Sequence, residues 1–403
     1  MSTDSLSDSS RSNRALAQSK IEALLPKIRS LAVETETNRK VKDEVIQDIK
    51  LTGLFDVVKP KVFGGLNLGF GALVDVTTEI GAACGSSGWV YGVLAGHSWL
   101  LNLFPEKVQR EVFSKKDVLL GTVFRMNTLV DKVEGGYHMQ GAEGRFCSGV
   151  DFCDYVIVGS AVKNDKGAPE PRFFVVPMSE VEIVDDWFTT GMRGTGSRSI
   201  KIADTFIPEH CSVALSDMLA GTSPGADFHD APLYRLPFSD VAPFSIVGAP
   251  LGMAKGALES YITGVRPFLA GMKPEQQSSF STALARYAAG SASWDSVKLL
   301  VDSSAALLDN LTAENTQQFM DQRGKIPRNW SYAVQSSRTI VNDLFAMMGG
   351  STIYNDSELQ RYWRDVNSSA QHIGFAWDNA MTRFGRLSAE LDSSDYSLPE
   401  VKK

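Results

Sequence analysis

The chain has 403 residues, with 40 lysines and arginines against 47 aspartates and glutamates for a formal charge of −7. Its basic residues are dispersed and its pI lies near 5.4, which argues against a nucleic-acid or anionic-membrane surface. With 43% hydrophobic residues, a large core divided into two or three regions is expected, and neither an apolar leader nor a membrane-length apolar window is found. The four cysteines, Cys84, Cys147, Cys153 and Cys211, lack zinc or redox spacing and read as reduced thiols of a cytosolic protein. The five histidines lack the clustering that a metal site requires.

In chain order, residues 1–13 are Ser-rich and predict a disordered tip. Helical periodicity follows from Arg14 to Phe55, enough for two helices, and a Gly/Pro connector through Lys59-Pro60 and Phe63-Gly64-Gly65 turns the chain. Two further helical patterns complete a helical region, 14–117, and the second carries Trp89, His97 and Trp99. From 118 to 213 short β-branched and aromatic runs alternate with Gly, Asn and Asp clusters, the pattern of an antiparallel β-domain. Here His138 should point outward from a strand, and His210 and His229 read as surface residues in connecting segments. Residues 214–240 read as a linking loop. Four long helical patterns over 241–391 (Val241 to Leu269, Pro274 to Leu311, Thr312 to Met348 and Ser357 to Leu391) predict a four-helix bundle, followed by a loose tail, 392–403. The order of helices, strands and helices defines an α+β class, mostly α.

The motifs concentrate near the C-terminus. Met348-Gly349-Gly350 makes a turn at a helix end, Arg364-Asp365 reads as a structural ion pair, and His372 follows eight residues after Arg364 on what reads as the next helix. Upstream lie Gly121-Thr122-Val123-Phe124-Arg125-Met126-Asn127, Phe146-Cys147-Ser148-Gly149, the loop Gly191-Met192-Arg193-Gly194-Thr195-Gly196-Ser197, and Arg266-Pro267-Phe268-Leu269. Without further context the Ser148 turn is an ordinary Ser/Gly turn, and His97 a core histidine bonded to a backbone carbonyl.

Together these stretches resemble the acyl-CoA dehydrogenase fold. The glutamate that such dehydrogenases use to remove an α-proton is missing: the expected positions hold Ile373 and, approximately, Ala242. A histidine instead matches a sister family on the same fold, the two-component monooxygenases that use reduced flavin (4-hydroxyphenylacetate, dibenzothiophene and indole oxygenases). The resemblance implies a C-terminal bundle beside a middle β-barrel-like domain, with reduced FAD or FMN between them reacting with O2 to a C4a-hydroperoxyflavin that oxygenates a small aromatic substrate. It implies catalytic roles for His372 (removing a substrate proton or orienting the peroxide), His97 (positioning the ring from the opposite wall) and Ser148 (donating to flavin N5). Cofactor contacts are implied for Ser148, Asn127, Phe124, Arg266, Met348, Gly349 and Gly350, and a substrate pocket lined by Trp99 and Trp377. A separate NAD(P)H-dependent flavin reductase and assembly into a homodimer or homotetramer through the C-terminal helices are implied as well. The alternatives are an acyl-CoA dehydrogenase with a relocated base, and a catalytically dead member acting in binding or assembly.

Overall fold

The computed structural model describes residues 7–163, 169–229 and 231–391; the expected tail and the start of the expected tip lie outside them. The later part of that tip is helical instead. Helix α1 (Asp8–Glu22) starts at once because the Ser7 side chain accepts from the Ser10 N–H and Asp8 sits in the first turn. A serine cap and an early acid both satisfy a helix N-terminus, which composition alone does not reveal. Pro26, fixed in φ at the start of Leu25–Ser30, then divides the expected two helices into shorter pieces that end with Asp43–Thr52.

Helices α2 (Phe70–Ala83) and α3 (Gly85–Leu100) are apolar nearly all round, and every residue of α3 is buried, as befits helices at the centre of a core. The short α4 (Glu106–Phe113) follows. A Cβ on Gly92 would overlap the Ser245 carbonyl, so glycine is needed where α3 meets the C-terminal bundle.

The middle region forms one sheet of β1 (Leu120–Val123), β2 (Leu129–Val133), β3 (Gly136–Cys147), β4 (Tyr155–Lys163), β5 (Pro169–Pro177), β6 (Glu182–Val184), β7 (Arg198–Pro208) and β8 (Ser212–Ala214). The order is β6-β7-β3-β2-β4-β5-β8, with β1 also on β4. It is not purely antiparallel as expected, since β1 and β2 both run parallel to β4. β3 doubles back on β2 through a tight hairpin and β4 returns along β2's other side, so β4 must share the direction of β2. Register slips between Gly144 and Cys147, where Phe146 takes a φ of 71°. This irregularity bends the end of β3 and delivers Ser148 to the face of α3.

The segment expected as a loop contains short helical pieces, among them Leu215–Ala220 and Phe238–Val241. The bundle follows as α5 (Phe244–Ala270), α6 (Ser281–Asp309), α7 (Lys325–Met347), α8 (Glu358–Ser369) and α9 (Trp377–Ser388). The expected fourth helix is therefore two, broken where His372 adopts an extended ψ of 134°. Phe244 meets Trp330 at 5.5 Å between ring centroids, so α5 and α7 start at the same end of the bundle. The stretch Phe238–Ala270 is long and apolar enough to cross a membrane by composition, but 78% of its apolar window is buried inside the protein; it is the core helix.

Candidate active site

His372 lies in the connection between α8 and α9, not on a helix. Its Nδ1 accepts the Gly374 N–H at 3.1 Å, capping the 3₁₀ turn Ile373–Phe375. A ring nitrogen that accepts a hydrogen bond carries no proton, so the neutral imidazole holds its single proton on Nε2. That N–H has no hydrogen-bond partner among the described residues. The ring packs against Trp89 (5.5 Å), Phe375 (5.8 Å) and Phe124 (6.3 Å). The residue is half-buried, and desolvation lowers its pKa to about 4. Near neutral pH it is an uncharged N–H donor.

Phe124 is 47% exposed although it also packs against Phe173 and Phe238, both at 6.2 Å. A half-open wall of aromatic rings beside one free N–H suits a flat, weakly polar group. The short helix carrying Phe238 is anchored by Asp240, a fully buried carboxylate that pairs with Arg323 at 3.0 Å and Arg383 at 3.3 Å. Asp240 thus ties the linking segment to α9 and to the entry of α7, and this pinning of the aromatic wall was missed in the sequence.

Ser148 reaches the same wall from the β-domain. Trp89 Nε1 donates to Ser148 Oγ at 3.1 Å, Ser148 Oγ lies 2.7 Å from Ser197 Oγ, and Ser197 Oγ lies 2.6 Å from Thr195 Oγ1. Thr195 Oγ1 in turn donates to the Met192 carbonyl at 2.8 Å. All four side chains are buried. The 191–197 loop that closes this chain is itself held on α8: the Met192 N–H donates to the Asp365 carboxylate at 2.6 Å, and Met192 sits at a φ of 56°, a left-handed conformation that a non-glycine residue adopts only when its surroundings hold it there. Burial pushes Asp365 up to about 6. Arg364 does not pair with Asp365 as the adjacent letters suggest. It turns the other way, to Glu36 and the Gln360 side chain, because neighbours on a helix point about 100° apart.

His97 is sealed in the core. Its Nδ1 donates to the Leu120 carbonyl at 2.7 Å, Thr122 Oγ1 stands 2.9 Å from Nε2, and burial lowers its pKa to about 4. Both nitrogens are committed to holding α3 on β1. The exposed Asn127 side chain accepts the Glu143 N–H at 2.7 Å through Oδ1, which leaves its NH2 group to donate. Trp99 is 1% exposed and stacks on Phe238 at 6.4 Å, so it backs the wall rather than lining open space; its indole N–H has no partner among the described residues. Trp377 is 41% exposed and lies 6.2 Å from Tyr332, outside the ring cluster around His372.

Arg266 and the Met348-Gly349-Gly350 turn are not brought to His372 within the chain. Arg266 lies 22 residues beyond Phe244 on one helix, roughly 33 Å along its axis. Gly349 and Gly350 are exposed, with open space where a side chain would stand. His229, read as a surface residue, is buried and donates from Nε2 to Asn102 (2.9 Å) and Gln109 (2.8 Å). Glu111, His210 and Cys211 are the one group of potential metal donors among the described residues, within 4.8 Å of one another, beside a cleft of about 290 Å³ under α4. His210 there pairs with Glu111 at 3.0 Å, and this cleft shares no residue with the aromatic wall.

The acyl-CoA dehydrogenase N-terminal domain family matches residues 10–116 and the C-terminal domain family residues 244–377. The chain is 32% identical to a pigment production hydroxylase of Rhodococcus sp., over 93% of this chain and 97% of that protein. It is 33% identical to the oxygenase component of an FADH2-dependent resorcinol hydroxylase of Rhizobium sp., over 90% and 91%. The crystal structure of 3-HSA hydroxylase from Rhodococcus sp. RHA1 superposes with a TM-score of 0.87 at 26% identity, covering 94% of this chain and 98% of that one. The chain belongs to the oxygenase components of the flavin-dependent two-component monooxygenases, oxidoreductases that use reduced flavin on the acyl-CoA dehydrogenase fold.

Proposed function

We propose that reduced FAD or FMN binds between the Ser148 turn, Phe124 and the His372 connection, and that the substrate is a small phenol, with an indole as the second choice. The observation that carries this reading is the arrangement at His372: Nδ1 is spent on its own turn, leaving Nε2–H free among Trp89, Phe124 and Phe375. Bound reduced flavin supplies the two electrons that let one atom of O2 enter the substrate while the other leaves as water. His372 donates to the substrate oxygen and orients the ring. Acting as the base expected from the sequence would run against the desolvation that lowers its pKa. Phe124 and Phe238 supply the flat apolar face and help exclude water. Trp99 stiffens that wall from behind, His97 fixes α3 and so Trp89, and Trp377 guards the outer edge.

The names of the relatives support the substrate class: one is a resorcinol hydroxylase, another a p-hydroxyphenylacetate 3-hydroxylase, and a third an indole-3-acetate monooxygenase. They also support electron delivery by a separate NAD(P)H-dependent flavin reductase, since two are described as oxygenase components. Arg266 and Met348-Gly349-Gly350 act as cofactor contacts from a second copy of the chain in a homodimer or homotetramer, a reading supported by their distance from His372 and by exposed Phe268, Leu299 and Tyr354. Four free cysteines fit a cytosolic setting.

The test supplies reduced FAD or FMN from a flavin reductase with NADH under oxygen, against a panel of phenols and indoles. Oxygen-dependent hydroxylation of a panel member is expected. Reduction of bound flavin by an acyl-CoA thioester, with no oxygenated product, would overturn the reading.

A further inference from the structure

The hydrogen-bond chain behind Ser148 has a direction, and counting protons fixes it. Each serine or threonine hydroxyl has one proton. Thr195 must spend its proton on the Met192 carbonyl 2.8 Å away, because otherwise two oxygens would face each other with none between them. Ser197 then donates to Thr195 across 2.6 Å, which leaves Ser148 to donate to Ser197 across 2.7 Å. The Trp89 indole N–H, which can only donate, points into Ser148. Protons therefore run one way, from Trp89 through Ser148, Ser197 and Thr195 to a carbonyl. What remains uncommitted on Ser148 is a lone pair and not a proton. The Ser148 N–H is also occupied, by the Phe146 carbonyl at 3.1 Å. Donation from Ser148 to flavin N5, as the resemblance implies, runs against this direction.

We propose that Thr195 and Ser197 are positioning residues that make the site select reduced over oxidised flavin. The proposal rests on the placement of flavin beside Ser148 argued above. Reduced isoalloxazine carries an N–H at N5 and needs an acceptor there, whereas oxidised isoalloxazine offers only a lone pair at N5 and needs a donor. A hydroxyl locked as an acceptor favours the first and repels the second. A free hydroxyl rotates to suit either and discriminates poorly. Specificity from a committed hydrogen-bonding group, and not from shape, is the general case in which a small chemical difference yields a large preference.

The experiment is a pair of binding titrations with FAD and with FMN, reduced (anaerobic) and oxidised, on the wild type, Thr195→Val, Thr195→Ser and Ser197→Ala, with thermal unfolding of each protein as a check on folding. Thr195→Val keeps the shape of the side chain but removes both the acceptor for Ser197 and the link to Met192, so Ser197 can turn toward Ser148 and reverse it. The preference for reduced flavin should fall at least tenfold in Thr195→Val and in Ser197→Ala, and Thr195→Ser should restore it. A purely structural role for Thr195 would weaken both forms alike and leave their ratio unchanged; that result overturns the proposal. Failure of the wild type to bind either form of either flavin would remove the proposed flavin site and the selection with it, whereas binding with an unchanged ratio removes the selection alone.

Discussion

His97 and His372 form an instructive pair. Both sit on walls of apolar side chains, and burial lowers both to a pKa of about 4, so pKa does not separate them. Their nitrogens do. His97 has a carbonyl on one and a hydroxyl at the other, which leaves nothing to offer a ligand. His372 has one nitrogen committed to a turn and one N–H free beside the half-exposed Phe124. The two histidines differ in unspent hydrogen-bonding capacity, which is a property of the surroundings and not of the ring, and on that difference the proposed role of His372 rests.

The closed side should therefore break in stability and the open side in chemistry. The largest loss of stability is expected for Asp240→Ala, which leaves Arg323 and Arg383 facing an empty buried site; about 3–5 kcal/mol should be lost in urea unfolding. His97→Ala comes next, at about 2–3 kcal/mol, from the orphaned Leu120 carbonyl and the cavity. His97 also gives a pH signature. Its folded pKa near 4 lies below the ordinary value of 6.5, so the unfolded chain binds the extra proton first, and its contribution to stability falls as pH drops from about 6.5 to about 4, by roughly 3 kcal/mol in all. Asp309 and Asp365, raised to about 6 by burial, act in the opposite sense over much of that range. The clean measurement is thus the difference between wild type and His97→Gln, in which the acid limb should be shallower. Smaller still is Trp99→Phe, which removes an indole N–H that has no partner among the described residues and should shift stability by less than about 1 kcal/mol.

Much of the architecture was legible because it is written in local periodicity: the helical cores, the strand-rich middle and the bundle all follow from spacing of apolar residues. The break at His372 was not, because it depends on a side chain capping its own turn two residues on. The Trp89–Ser148–Ser197–Thr195 chain and the Asp240 anchor were invisible for a different reason. Ser148 is 59 residues from Trp89 and 49 from Ser197 in the chain, and Asp240 is 143 from Arg383, and no periodic pattern links residues that only the finished fold brings together. Residue type was enough to nominate Ser148, Phe124 and His372 by resemblance. It could not show that the Asn127 side-chain oxygen accepts a backbone N–H, that His229 is buried, or that Arg266 stands at the far end of its helix.

The most direct test of the account compares His372→Gln with His372→Ala, reading product formed per NADH with reduced flavin supplied by a reductase. Glutamine can place an amide N–H near the lost Nε2–H but cannot act as a base. If His372 works as a donor, the glutamine variant should stay within about tenfold of wild type while alanine loses on the order of a hundredfold or more. If the two variants are equally inactive while both still bind reduced flavin, the donor role is contradicted and proton removal by His372 is restored.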